Sequence, residues 1–116
     1  NRPHAEGVFE GVRVVAAYPI GSPDYPDSDK LVEQWKKQLL DMYQKPKDPK
    51  DAVPPIEMVN SVEELLKKCD GVMIFSMDGR LHLKQAEQVL KAGKRLFISR
   101  PLASSPEDAV AILKLA

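Results

Sequence analysis

The sequence predicts an α/β domain in which helices cover both faces of a mostly parallel sheet. Three observations carry this expectation. Short apolar runs rich in strand formers alternate with amphipathic helical segments, giving the order β-α-β-α-β-α-β-α without internal repeats. Residues 69–102 hold a complete strand–loop–helix–strand unit, whose two strands should lie parallel with a right-handed crossover. At 116 residues the chain suffices for one domain, spanning 1–116, with a single core.

Residues 1–11 lack periodicity and read as an entry loop. The first strand follows at residues 12–17, VRVVAA, a β-branched run expected to be buried on both faces. It stops in YPIGSPDYPD, residues 18–27, where proline and glycine exclude both ladder and helix. Asp27, Ser28 or Asp29 caps the next helix. There Leu31, Trp35, Leu39, Met42 and Tyr43 share one stripe, with Trp35 and Tyr43 read as core. Residues 45–55 are charged and proline-rich, a surface loop. A short second strand is expected at 56–59.

Ser61 with Glu64 three residues later predicts a capping box. Val62, Leu65, Leu66 and Cys69 then form the buried face of a short helix. The third strand is GVMIF, residues 71–75, broken by Ser76, Met77, Asp78 and Gly79. From Arg80 the pattern turns helical, with Leu83, Ala86 and Leu90 on one face and Lys84, Glu87 and Lys91 toward water. Gly93 suits the left-handed position past a helix end. RLFI, residues 95–98, resumes as the fourth strand, and Pro101 stops it. Ser105 caps the last helix, with Pro106 at its first position and Glu107 and Asp108 in its first turn. Ala109, Ile112, Leu113 and Ala116 supply its apolar stripe.

Composition excludes several classes. Lys plus Arg and Asp plus Glu number 17 each, which leaves no basic field for nucleic acid. No run approaches the roughly 18 apolar residues of a membrane span, and no signal peptide is visible. Cys69 is the only cysteine, which fits a reducing cytosol and gives a cytoplasmic expectation. The chain begins at Asn1 and stops inside an apolar-periodic helix, so it reads either as an internal piece of something longer or as a chain whose start was set by tag removal or processing.

In an open α/β sheet the ligand crevice lies outside the carboxyl ends of the strands. Residues 76–79 and 99–101 occupy two such ends, and both are polar turns. Gly21 and Gly79 stand alone in their loops, so no glycine-rich phosphate fingerprint is present. His4 and His82 are far apart in sequence and no cysteine pair exists, so no metal site is expected. His82, at the start of a helix, either points into the crevice or bonds to backbone. Arg100 either pairs with a surface carboxylate or clamps an anion through its planar fork. Asp78-Gly79 is most simply a turn. Tyr18, directly after a buried strand, lies where a dinucleotide-binding sheet approaches the adenosine ribose. The usual acidic partner of the 2′-hydroxyl is absent there, and Ser22 is a candidate for a 2′-phosphate.

SVEELL at 61–66, DGVMI at 70–74, Leu81-His82, and AGKRLFISRPLA at 92–103 together resemble the glucose–fructose oxidoreductase/inositol dehydrogenase (Gfo/Idh/MocA) family. The resemblance is specific from Ser61 to Ala116 and looser back to Val12. It implies a Rossmann-like three-layer α/β/α domain that binds NAD or NADP, with residues 12–17 as the second strand of that fold. By the resemblance, Ser76, Met77 and Asp78 line the dinucleotide, and His82 stands at the family's histidine. Arg100-Pro101 takes the place of a Lys-Pro whose lysine approaches nicotinamide and substrate, in a turn whose peptide is often cis.

Three departures accompany the resemblance. The family's first strand and glycine loop are not in this chain, its second domain is missing, and Ser99-Arg100-Pro101 replaces Glu-Lys-Pro. Arginine keeps the charge but cannot donate a proton near neutral pH. In the order 3-2-1-4-5-6 the first strand lies between the second and fourth, so its absence opens a gap mid-sheet. A missing segment, a partner, a homo-oligomer contact or a rearranged sheet is expected to fill it, or the flanking strands pair directly. The leading expectation is part of an NAD(P)-dependent oxidoreductase acting by hydride transfer on a sugar or polyol-like substrate. Arg100 is its catalytic-position residue, and Tyr18, Ser22, Ser76, Met77, Asp78, His82, Arg100 and Pro101 are its cofactor contacts. This chain alone should be inactive. The alternatives are a non-catalytic dinucleotide- or anion-binding module on the same fold, and a flavodoxin-like domain using the crevice for another anion.

Overall fold

The computed structural model describes residues 7, 10–44 and 53–116. His4 and most of the charged loop at 45–55 lie outside them. The element order is the expected alternation: β1 (Ala16–Ala17), α1 (Ser28–Gln44), β2 (Glu57–Met58), α2 (Val62–Leu66), β3 (Gly71–Ile74), α3 (His82–Lys91), β4 (Arg95–Ile98) and α4 (Pro106–Leu115). A single 3-10 turn, Gly79–Leu81, leads into α3. The chain has a Rossmann-like α/β fold.

Among the described residues every strand pairing is parallel, but the strands form two separate pairs. β1 lies beside β2 with Ala16 opposite Glu57 and Ala17 opposite Met58. The Glu57 and Val59 amides donate to the Val15 and Ala17 carbonyls at 3.1 and 2.9 Å. β3 lies beside β4 with Gly71 opposite Arg95 through Ile74 opposite Ile98. No described strand joins β1 to β3. The expected gap is therefore real, and direct pairing of its flanking strands is not what the chain adopts.

That β1 has one strand neighbour among the described residues explains where the first strand departs from expectation. Only Ala16 and Ala17 are paired, while Val12 is 62% and Val14 38% exposed. A β-branched run becomes a doubly buried strand only when it has neighbours on both edges and cover on both faces. Trp35 likewise is 46% exposed instead of core, although Tyr43 on the same helix is buried.

The core sits on the β3–β4 side. Val72 and Ile74 point to one face and meet Val89 of α3, with Val62, Leu65, Leu66, Cys69, Leu96 and Ile98 packed around them. α3 also packs against α2 and α4. Its inner stripe is His82, Ala86 and Val89, all essentially without solvent exposure, at spacings of four and three. Leu83 and Leu90, expected there, are only half-buried. On α4, Ile112 is buried but Leu113 is 67% exposed, a correction to the expected stripe. Alternation along the strands sends Met73, Phe75 and Phe97 to the opposite face, where each is more than half exposed.

Local signals hold well. The Glu64 amide donates to Ser61 Oγ at 3.1 Å, although the Glu64 carboxylate accepts from Asn60 N–H instead of the Ser61 N–H of a capping box. Ser105 Oγ accepts from the Asp108 amide at 3.1 Å, with Pro106 following it. Gly93 takes φ +68 after α3, the left-handed position that other residues adopt at a cost.

Candidate functional site

The carboxyl ends of β1, β3 and β4 bring three loops together, as the parallel topology requires. The loop after β1 contributes Ser22 and Asp24, the loop after β3 contributes residues 76–80, and the turn after β4 contributes residues 99–104.

Asp78 is the hub. It is 6% exposed, and both carboxylate oxygens are engaged. Oδ1 accepts from the Arg80 amide at 3.0 Å and from Arg80 Nε at 2.8 Å. Oδ2 accepts from Arg80 Nη2 at 2.6 Å and from Ser22 Oγ at 2.7 Å. The Arg80 guanidinium, followed by the Ser22 hydroxyl, holds this carboxyl well below the usual carboxylate range. Such bonds stabilise the charged form. Arg80 Nη2 also pairs with Asp24. Two loops from different strand pairs are thereby tied through one guanidinium and one hydroxyl.

Ser22 is itself buried and doubly held. Its amide donates to Ser28 Oγ at 2.9 Å, and the Ser28 hydroxyl donates to the Ser22 carbonyl at 2.9 Å. Ser28, fully buried at the start of α1, fixes the loop so that Ser22 Oγ reaches Asp78.

His82 plays a related part on the other side. Its ring is completely buried, with Nε2 2.8 Å from the Ser76 carbonyl and Nδ1 3.2 Å from the Leu102 carbonyl. A neutral imidazole donates from only one nitrogen. The ring therefore sits between the loop after β3 and the turn after β4, facing backbone on both sides. Ser76 Oγ donates to Gln85 Oε1 at 3.0 Å.

The turn after β4 contains the cis peptide Arg100-Pro101. Gly79 lies under it: a Cβ there would stand 3.1 Å from the Ala103 carbonyl carbon, Pro101 Cγ and the Ser104 nitrogen. That close approach, rather than a special backbone angle, is why glycine fits. Arg100 is exposed and has no side-chain partner among the described residues.

The expected site residues thus separate into two groups. Ser22, Asp78 and His82 turn their polar atoms toward the protein. Tyr18 and Met77 line a large groove between the strand pairs, whose lining also includes Ser22, Ser76 and Asp78, and Arg100 is exposed. Arg80, Asp24 and Ser28 belong to the same constellation and were not among the expected residues. Asp78 and Arg80, two apart around a glycine, were the visible signal for the first of these. Nothing local signals Ser28 or the Asp24 contact. At this end of the sheet Arg100, without a side-chain partner among the described residues, stands beside a polar, preorganised wall, which suits an anionic or hydroxyl-bearing ligand.

A family model described as an oxidoreductase family with an NAD-binding Rossmann fold, GFO_IDH_MocA, matches residues 32–116. No curated protein and no solved structure gives a significant match.

Proposed function

Because the chain belongs to the GFO_IDH_MocA oxidoreductase family, we propose that it forms part of an NAD(P)-dependent oxidoreductase acting on a sugar or polyol-like substrate. The observation that carries this reading is the family match across the elements that build the crevice, residues 32–116. The residues present fit one side of a dinucleotide site. Tyr18 and Met77 offer an apolar wall along the groove, and Arg100 offers an unpaired charge at a strand's carboxyl end. The nicotinamide group, when bound, would supply the hydride donor or acceptor.

The protein's share of the work is positional. Ser22, Asp78 and Arg80 hold the loop after β1 against the loop after β3. His82 and Gly79 set the turn that carries Arg100. Arg100 then orients an anionic or carbonyl oxygen electrostatically, since a guanidinium keeps its proton near neutral pH and cannot serve as the acid or base. Proton transfer falls to a group outside the described residues or to solvent. A polyol panel with NAD and with NADP, followed through reduced-cofactor absorbance on the longest natural polypeptide, tests the reaction. Turnover of a polyol supports the reading, and binding without turnover of any substrate removes it.

A second reading, a dinucleotide- or anion-binding module without chemistry, is favoured by one observation. Arginine stands where the resemblance places a lysine, so a proton donor is replaced by a fixed charge. Cofactor affinity without turnover would select it.

A further inference from the structure

We propose that the outer edge of the Arg80 guanidinium binds the carboxylate of a sugar acid, and that Asp24 occupies this edge until such a ligand displaces it.

Arg80 is held for that task from the inside. Its Nε and Nη2 meet Asp78 Oδ1 and Oδ2 at 2.8 and 2.6 Å, a two-point contact along one side of the fork. Asp78 is buried and is fixed in turn by the Ser22 hydroxyl at 2.7 Å. The backbone is set as firmly. The Arg80 amide donates to Asp78 Oδ1 at 3.0 Å, and Gly79 before it is wedged against the turn after β4. An arginine so fixed loses little side-chain freedom when a ligand binds.

The outer edge is held far less well. Asp24 meets it through Oδ2, on the same Nη2 that Asp78 already uses. Nη1 forms no hydrogen bond among the described residues. The Arg80 and Asp24 side chains are 52 and 62% exposed, and ion pairs so open to water hold weakly. A carboxylate arriving end-on takes a hydrogen from each terminal nitrogen, and that paired geometry is the stronger one. Asp24 is thus the chain's own stand-in for the group this edge is shaped to take.

Charge selects among anions. Asp78 and Asp24 against one arginine leave the cluster with a net negative charge. A monoanionic carboxylate replaces Asp24 like for like. A phosphate dianion adds a second charge beside Asp78, whose carboxyl Arg80 and Ser22 already keep ionised. Ser22 and Asp78 line the groove between the strand pairs, so a carboxylate on Arg80 leaves the rest of its carrier at the groove's mouth. That the carrier is a sugar acid rests on the polyol reading above. The carboxylate site itself does not.

The test titrates the natural polypeptide containing residues 1–116 with sodium gluconate at constant ionic strength. Sorbitol serves as the neutral counterpart and inorganic phosphate as the dianionic rival. Binding is followed by NMR at the Arg80 Nε–H, and at the Leu81 amide in every variant. Gluconate should shift both saturably, and sorbitol neither. Arg80→Lys keeps the charge but loses the fork, and should weaken gluconate about tenfold. Asp24→Asn removes the stand-in and should tighten gluconate about threefold. Asp27→Asn takes the same charge from the same loop, where Asp27 pairs with Lys30, and should change nothing. No gluconate binding, binding indifferent to Arg80→Lys, or binding weakened by Asp24→Asn overturns the proposal. Phosphate binding tighter than gluconate overturns it too. NADH titrated onto the same samples separates the two readings. NADH binding without Arg80-dependent gluconate binding overturns this inference alone. Arg80-dependent gluconate binding without NADH binding upholds it and removes the dinucleotide reading.

Discussion

Ser22 donates its hydroxyl hydrogen to Asp78 at 2.7 Å, across 56 residues of sequence. The bond spans the carboxyl end of a groove whose walls share no backbone ladder. With Arg80 bridging Asp78 to Asp24, it ties together two loops that the paired strands leave separate.

Removing the Asp78 carboxylate should loosen that tie. Asp78→Ala leaves Ser22 without its acceptor and Arg80 with Asp24 alone. A fall in Tm of roughly 5–10 °C is expected by thermal scanning. Ser22→Ala, which removes one neutral donor, should fall by less.

The same carboxyl sets an acid limit. Its folded pKa lies below the ordinary value, Arg80 being the larger cause and Ser22 the next. An unfolded aspartate titrates near about pH 4. The stabilisation is thus complete above that pH and is lost as acid carries the pH down toward the folded value. Tm measured from neutral pH into acid should decline below about pH 4, and Asp78→Asn should decline less over that window.

Gly79→Ala puts a methyl group against the turn after β4, where the nearest atoms, two of backbone and Pro101 Cγ, stand 3.1 Å away. Overpacking of this kind costs about 1–3 kcal/mol. Urea denaturation should show that loss, and the Arg100 amide resonance should shift. An unshifted Arg100 would mean the turn does not rest on Gly79.

Two apolar positions separate core from surface. Val89→Ala, at 1% exposure, should cost about 2 kcal/mol. Leu113→Ala, at 67% exposure, should stay within about 0.5 kcal/mol. His82→Ala should cost about 2–4 kcal/mol, through a cavity and a carbonyl that loses its donor.

What could be read from the sequence was what depends on near neighbours. Gly93, Ser61 and Ser105 act within a turn or two, and β4 lies between a glycine stop and a proline. All four appear where expected. Val12 and Trp35 could not be placed, because their exposure follows from a pairing seen only in the folded chain, where β1 has β2 as its one partner among the described residues. On α3 the buried stripe passes through His82 and Val89, and a polar histidine disguised its spacing. The site divided in the same way. Asp78 and His82 stood out by position in the loops, yet their partners Ser22 and Leu102 lie 56 and 20 residues away. That pairing belongs to the folded chain alone.

In the function proposed above, this crevice takes a dinucleotide with Arg100 beside it. Calorimetric titration of NADH and NADPH onto the natural polypeptide containing residues 1–116, wild type and Arg100→Ala, tests it most directly. The account predicts micromolar binding of at least one cofactor, weakened about tenfold in the variant, a loss of about 1.4 kcal/mol. Tm should be unchanged, because Arg100 has no partner to lose among the described residues. A folded polypeptide that binds neither cofactor, or a variant that binds as tightly as wild type, would contradict it.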